Sequence, residues 1–309
     1  MNTNKTLIFF STHIINELII SEYKKLLNAG NYDVIFAIDN SEQKFSADLD
    51  NPVQKLEFFG NEYKCFLFNE NIHKSLNLPY FTEKKINGSF KSNMWYNGDY
   101  RFYYVRKYFP DFDYYWQVEY DIYCHGDSYK YFLDKYKDNP SDLIIQNKDR
   151  REIPETENWY WVDKTDWIYK NAKLYRSFYP LCRLSSRAVD FLYKRRLEHS
   201  EIYSQLEDKN SNRWIMCELF TATELLNNGY SCEYFDEYFY YKPEFDLNTI
   251  KIYLEPDNRL YHPVKGSLSD NLRQLKQENK ELKKQVRQLS HYTISIFGIK
   301  IKLKNKIQK

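Results

Sequence analysis

Short apolar runs broken by polar stretches dominate the first half of the chain. Thr6–Phe10 is apolar between polar flanks and predicts a buried strand. Asn16 to Asn28 carries apolar residues near the helical period and stops at Gly30, which predicts a helix. Tyr32–Ile38 and Tyr63–Phe68 predict two more strands, the first ending at Asp39-Asn40. Strand, helix, strand at this spacing predicts an α/β fold with a mostly parallel sheet flanked by helices. The continuous apolar character of the strands fits burial on both faces.

Residues 69–94 are mixed and polar and read as loop with a short helix. Tyr100–Tyr108 predicts a helix stopped by Pro110, and Tyr114 to Asp121 an aromatic strand ending in two acids. Leu143–Gln146 predicts a strand, Arg187–Leu197 and Trp214–Asn227 predict helices, and 230–260 short strands and turns. Residues 147–172 are rich in Trp and charge without a period.

The pattern changes at Leu268. Leu268, Leu272, Leu275, Asn279, Leu282, Val286 and Leu289 alternate steps of four and three, which predicts a coiled-coil helix over 266–290. Asn279 at an a position favours a parallel homodimer through 268–289, with Glu278 facing Lys283 of the second copy, and the alternative is a single amphipathic helix packed on its own domain. From Ile299 to Lys304 apolar residues alternate with Lys, the period of a strand. The tail 291–309 is expected to be a short basic β element, closing as a hairpin around Gly298 or touching an anionic membrane surface over 292–309. The expected units are therefore a globular α/β domain over 1–265, the coil over 266–290 and the tail over 291–309.

Composition narrows the function. The 309 residues are 42% hydrophobic and 28% charged, which excludes wholesale disorder. The net charge of +2 argues against a nucleic-acid binder, since the basic excess sits in the five lysines of the tail. Five cysteines without a CxxC spacing point to reduced, buried thiols. With no signal-peptide layout and no run of about 20 apolar residues, the expected location is cytoplasmic, peripheral at the inner membrane face. Walker A and glycine-rich Rossmann fingerprints are absent, and 8 glycines leave little scope for either.

The strongest chemical signal is Glu119-Tyr120-Asp121. Residues two apart on a strand share a side, so the carboxylates converge at its carboxyl end, where α/β sheets bind ligands. Two such acids repel unless a cation lies between them, and Mg²⁺ or Mn²⁺ suits carboxylates completed by substrate phosphates. The alternative is a pair of solvated acids at an exposed strand end.

The stretch Phe109-Pro110-Asp111-Phe112-Asp113-Tyr114-Tyr115-Trp116-Gln117-Val118-Glu119-Tyr120-Asp121 resembles the metal-binding block of GT-A-type nucleotide-sugar glycosyltransferases. Its Trp-x-Val-Glu-Tyr-Asp form is similar to a little-characterised family of bacterial and fungal proteins. Trp95-Tyr96-Asn97-Gly98-Asp99-Tyr100, Phe178 to Ser185, Cys217 to Thr223 and Leu260-Tyr261-His262-Pro263-Val264-Lys265 resemble further segments of that family, in order. The resemblance covers about residues 5–265 and departs at Glu119, where many such enzymes have Asp.

The resemblance implies a GT-A-like fold and metal-dependent transfer from a nucleotide-sugar donor to a glycan or glycolipid acceptor. It implies Asp121 and His262 as ligands of Mn²⁺ or Mg²⁺, with Glu119 on the metal through water or on the ribose. Asp99, Arg183 and Lys265 are implied as donor-binding residues and Glu218 as the base. His13 and Trp159, Trp161 and Trp167 are weaker candidates for base or sugar contact, with surface placement and core packing as their alternatives. The competing functions are a metal-dependent phosphohydrolase or nucleotidyltransferase and a non-catalytic coiled-coil glycan-binding or scaffold protein.

Overall fold

The computed structural model describes residues 4–42, 45, 51–80, 84–86, 89–91, 93–146, 153, 165–207, 213–235, 239–246, 256–265, 293–296 and 299–302. For 84–86, 89–91, 93, 239–246, 265, 293–296 and 299–302 only the backbone is described. The heptad segment, Trp159 and Trp161 lie outside the described residues.

The first unit runs β1 (Thr6–Thr12), α1 (Glu17–Leu27), β2 (Asp33–Asp39), β3 (Val53–Phe58) and β4 (Asn61–Phe68). It continues through α2 (Ile72–Ser75), β5 (Lys84–Ile86), β6 (Ser89–Lys91), α3 (Asn93–Tyr96) and α4 (Asp99–Tyr108). Then come β7 (Tyr114–Glu119), β8 (Tyr123–Cys124), α5 (Lys130–Tyr136), β9 (Leu143–Gln146) and α6 (Asp166–Tyr169). The remainder is β10 (Phe178–Ser185), α7 (Ser186–Ser204), α8 (Cys217–Asn227), β11 (Cys232–Phe235), β12 (Phe239–Asp246), β13 (Leu260–Lys265), β14 (Thr293–Ile296) and β15 (Ile299–Lys302).

Eight strands form one sheet in the order β11-β9-β10-β7-β1-β2-β4-β3. Four of its seven pairings are parallel and three antiparallel, so the sheet is mixed and, as expected, mostly parallel. Strands β3 and β10 supply the antiparallel pairs. The sequence pattern alone pointed to neither as a strand, because β3 alternates half-exposed positions and β10 carries an arginine in its centre.

Alternation along the strands splits the core into two layers, as the two-residue period requires. Leu7, Phe9, Ile35, Ala37 and Phe66 face α4, α7 and α8. Ile8, Phe10, Phe36, Ile38 and Cys65 face α1 and α5. Asn16 caps α1 by accepting from the Ile19 amide at 2.9 Å, and Ser185 caps α7 by accepting from Ala188 at 3.2 Å. Helix α7 outruns its predicted end at Leu197 by about two turns, because His199 and Tyr203 are also buried. Helix α8 begins at Cys217 rather than Trp214.

A three-stranded sheet, β12-β13-β8, sits beside the main one. Strands β14 and β15 pair antiparallel, with Ile294 opposite Ile301 and Ile296 opposite Ile299, the hairpin that the alternating tail predicted. All five cysteines are free thiols, four of them buried. Among the described residues no helix is long and apolar enough to cross a membrane.

Candidate functional site

Strand order reverses between β1 and β7. From β1 the chain builds outward through β2 to β4, and β7 is then added on the other side of β1. The carboxyl ends of these strands are where an open α/β sheet binds its ligand. The ends are in register, Ser11 beside both Ala37 and Glu119, so their polar side chains form one continuous edge.

The Glu119-Tyr120-Asp121 triplet sits there. Chain reversal after Asp121 leads straight into β8, against which β13 pairs, Tyr261 opposite Tyr123 and Leu260 opposite Cys124. The Val264 amide donates to the Asp121 carbonyl at 2.9 Å. That pairing carries His262 to the triplet, with its Nε2 lying 3.3 Å from Asp121 Oδ1. Both side chains are mostly buried, 8% and 14% exposed, and Asp121 Oδ1 accepts no hydrogen bond. A buried carboxylate oxygen and an imidazole nitrogen therefore converge where each lacks full solvation. The pair suits a hard divalent cation that keeps waters or phosphate oxygens in its other positions. Among the described residues no third His, Cys, Asp or Glu joins them.

Glu119 is engaged differently. Arg101, from the first turn of α4, donates to Glu119 Oε1 at 2.6 Å and to Ser11 Oγ at 2.8 Å. Gln117 Nε2 donates to the Tyr179 carbonyl at 3.0 Å on the same face. The triplet's two acids thus divide, Asp121 facing His262 and Glu119 answering an arginine. Arg101 carried no sequence signal beyond being one more charge on a helix. Its site role comes from Gly98: a Cβ there would lie 3.2 Å from Arg101 Nη2, 3.2 Å from Tyr179 Cδ1 and 3.4 Å from Cys217 Sγ. Glycine lets the helix start approach that closely.

Glu218 lies half-buried in the first turn of α8, beside this group. As the acid of the first turn it also lies at the positive end of the helix, a placement that suits a carboxylate without any chemistry. Burial, with the Glu119 carboxylate nearby, pushes the Glu218 carboxyl up to about 8.

Two expected donor-binding residues are elsewhere. Asp99 is fully buried, and its carboxylate takes Arg196 Nε at 2.6 Å, Arg196 Nη2 at 3.2 Å and the Tyr103 hydroxyl at 2.8 Å. It joins α4 to α7 and has no surface to offer a nucleotide. Arg183 is 1% exposed and points towards the opposite end of the sheet, its strand running antiparallel to β7 with Arg183 opposite Trp116. It donates to the carbonyls of Tyr136, Asn139 and Ser141 at 2.6–2.9 Å and stacks 4.1 Å from the Tyr114 ring. Burial pulls it down to about 10. Both arrangements remove the residue from the donor role. The backbone of Lys265 ends β13, three positions beyond His262, and its side chain lies outside the described residues.

His13 is exposed at the end of β1, edge-on to the Tyr120 ring at 4.6 Å. Trp167 packs against His199 and Tyr203 and donates to the Arg213 carbonyl at 3.0 Å, a core role. Further along the same edge, Asp39 at the end of β2 accepts from the Ser41 amide at 2.9 Å. There a polar pocket of about 370 Å³ is lined by Ser41, Asn69, Glu70, Asn71, His73, Lys74 and Tyr80.

No known protein family matches the sequence. No curated protein matches it either. Among solved structures the chain is similar to mouse xyloside xylosyltransferase 1 in its apo form, at 13% identity over 84% of this chain and 97% of that one, TM-score 0.39. It is similar to galactosyltransferase LgtC in complex with donor and acceptor sugar analogs, at 12% identity over 83% and 86%, TM-score 0.40. A third is a glycosyltransferase involved in glycosylating the major capsid of PBCV-1, at 11% identity over 86% and 96%, TM-score 0.36.

Proposed function

We propose that the chain is a metal-dependent glycosyltransferase that takes a sugar from a nucleotide-sugar donor and delivers it to a glycan or lipid-linked acceptor. The observation that carries this reading is the meeting of Asp121 with His262 at the carboxyl end of β7, where strand order reverses. These two residues would hold Mn²⁺ or Mg²⁺. When bound, the cation supplies positive charge against the departing nucleoside diphosphate.

The remaining roles belong to the chain. Arg101 holds Glu119 in place and brings a cationic, phosphate-compatible group to the same edge. Lys265 is the second phosphate partner in this reading. The nucleoside would lie across the ends of β1 and β2, reaching towards the pocket at Ser41 and Asn69. Glu218 takes the proton of the acceptor hydroxyl as its oxygen bonds to the sugar carbon and the bond to the donor phosphate breaks. In the same proposal the heptad segment pairs two copies, and the basic tail holds them to anionic lipid at the inner membrane face.

The direct test is thermal unfolding with a panel of nucleotides and nucleotide sugars, with and without Mn²⁺. A ligand bound only by the folded state at 100 times its Kd adds about 2.7 kcal/mol. One nucleoside diphosphate is expected to raise the Tm, and only with metal. A flat response to every nucleotide would return the chain to the scaffold reading.

Glu218 makes a second prediction. A base held near 8 is mostly protonated at neutral pH, so the rate rises with pH through that value. Glu218→Gln is expected to lower the rate about 10²–10⁴-fold and to flatten that limb. Stability moves the other way. The folded carboxyl lies above its unfolded value, so folding takes up a proton between the two and stability falls as pH rises through that window. At pH 8 the Gln variant should therefore have a higher Tm than the wild type. A lower Tm together with an unchanged pH profile would remove Glu218 from the chemistry.

A further inference from the structure

The pocket of about 370 Å³ beyond β2 and β4 is large enough for a nucleobase, and its lining is chemically specific. It lies where the two strands end, Asp39 pairing with Phe68 and Ser41 and Asn69 following them. Strand register links it to the acid triplet. Glu119 of β7 stands beside Ser11 of β1, and Thr12 of β1 beside Ile38 of β2. At about 4.8 Å per strand, the step from β7 across to β4 is roughly 14 Å. An extended nucleoside diphosphate held by its phosphates at Asp121 and His262 covers a span of that order.

Glu70 is the fixed group of the pocket. Its amide donates to Ser41 Oγ at 3.1 Å, its carbonyl accepts from His73 Nδ1, and its Oε2 accepts from the Tyr80 hydroxyl. Ser41 is itself held, its amide donating to Asp39 Oδ1 at 2.9 Å. The His73 and Tyr80 rings stack at 4.5 Å, 22° from parallel. Backbone and side chain of Glu70 are both tied, so the carboxylate is held in one direction. A carboxylate oxygen has two lone pairs, so Oε2 still accepts a second bond. Oε1 has no partner among the described residues and is open.

Lys74 lines the same pocket and has no ion pair among the described residues. One fixed double acceptor and one flexible cation set the requirement, a ligand with two adjacent donors and nearby acceptors. A phosphate fails it, because Glu70 repels an anion. Guanine meets it. Its N1–H and 2-amino group are adjacent donors for one carboxylate, and its O6 and N7 accept from a lysine. Adenine and cytosine place a ring-nitrogen acceptor beside their amino group, and uracil has one N–H between two carbonyls. Each of these turns an acceptor towards the carboxylate.

We infer that this pocket holds the base of the donor nucleotide and selects guanine, with Glu70 on N1–H and the 2-amino group and Lys74 on O6 or N7. The inference rests on the glycosyltransferase reading and adds the class of its donor, a guanosine diphosphate sugar.

The test is calorimetric titration of the full chain, in the presence of Mn²⁺, with GDP, IDP, UDP, CDP and ADP. IDP is GDP without the 2-amino group, so it removes one of the two bonds to Glu70. GDP should bind tightest, IDP about tenfold more weakly, and the other three about ten- to a hundredfold more weakly. Glu70→Gln keeps an acceptor for the Tyr80 hydroxyl but turns one carboxylate oxygen into a donor. It should weaken GDP about tenfold or more and remove most of its advantage over IDP, with UDP binding and the Tm without ligand unchanged. Tighter binding of UDP, CDP or ADP than of GDP would overturn the inference and leave the parent reading standing. So would equal binding of GDP and IDP by the wild type, a comparison that needs no variant to fold. A GDP preference that survives Glu70→Gln would also overturn it, by placing the base elsewhere. No metal-dependent binding of any of the five would remove the inference and the parent reading together.

Discussion

Asp121→Asn is expected to weaken Mn²⁺-dependent nucleotide binding by at least about 100-fold. Removing a group that merely orients a metal ligand already costs 10–100-fold in affinity, and in the proposed function Asp121 is a ligand itself. The substitution keeps the shape and removes the charge. The local fold should survive it, because the bond that ties this turn to β13 runs from the Val264 amide to the Asp121 backbone carbonyl. Calorimetric titration of Mn²⁺ with the stabilising nucleoside diphosphate reads the effect, and an unchanged Tm without ligand shows that the fold is intact. His262→Ala should produce a loss of the same kind, and the two together little more than either alone, since both act on one bound ion. Glu119→Gln separates the two acids. If metal-dependent binding survives Asp121→Asn but disappears in Glu119→Gln, the cation belongs with Glu119, and the Arg101 pair opens to admit it.

Asp99→Ala is expected to destabilise the protein by about 3–5 kcal/mol, the penalty for leaving a buried charge without its partner. Arg196 is fully buried, as is Asp99, and its guanidinium also lies 3.7 Å from the Phe220 ring and donates to the Ile215 carbonyl at 2.8 Å. Without the carboxylate, the cation remains fully buried on α7 with no opposite charge beside it. The midpoint of urea denaturation should fall accordingly, and the Tm by on the order of 10 °C. Replacing both residues, Asp99→Leu with Arg196→Met, should recover most of the loss, because an apolar pair of similar volume is often neutral or better than a buried ion pair. A single Asp99→Ala variant of unchanged stability that fails to bind nucleotide would restore Asp99 to the donor site.

Asp99 and Arg183 show how charge misleads when only the sequence is read. Both fall in segments that resemble a sugar-nucleotide enzyme, and both are charged where such an enzyme needs charge. A charged residue carries no local mark of whether it faces water or the core. Asp99 is decided by an arginine 97 positions away, and Arg183 by the carbonyls of a turn 42 to 47 positions earlier. Arg101 is the converse case, a helix charge with no motif that the packing of Gly98 against Tyr179 turns towards Glu119.

Strand and helix positions were legible because they depend on neighbours in sequence. The runs at Thr6, Tyr32, Tyr63 and Tyr114 became β1, β2, β4 and β7 in one sheet, and the acid pair fell at the carboxyl end of its strand. A period of two or 3.6 in apolar residues is enough to set such elements, since each must bury one face or both. Strands β3 and β10 escaped because their partners, and not their own pattern, make them strands. The sequence by itself thus determined the sheet's spine and placed the acid pair at the end of β7. Only the tertiary structure decided which acid meets His262 and which meets Arg101. Those contacts join residues brought together by sheet order and by the pairing of β13 with β8, and no local pattern encodes a distance between segments so far apart.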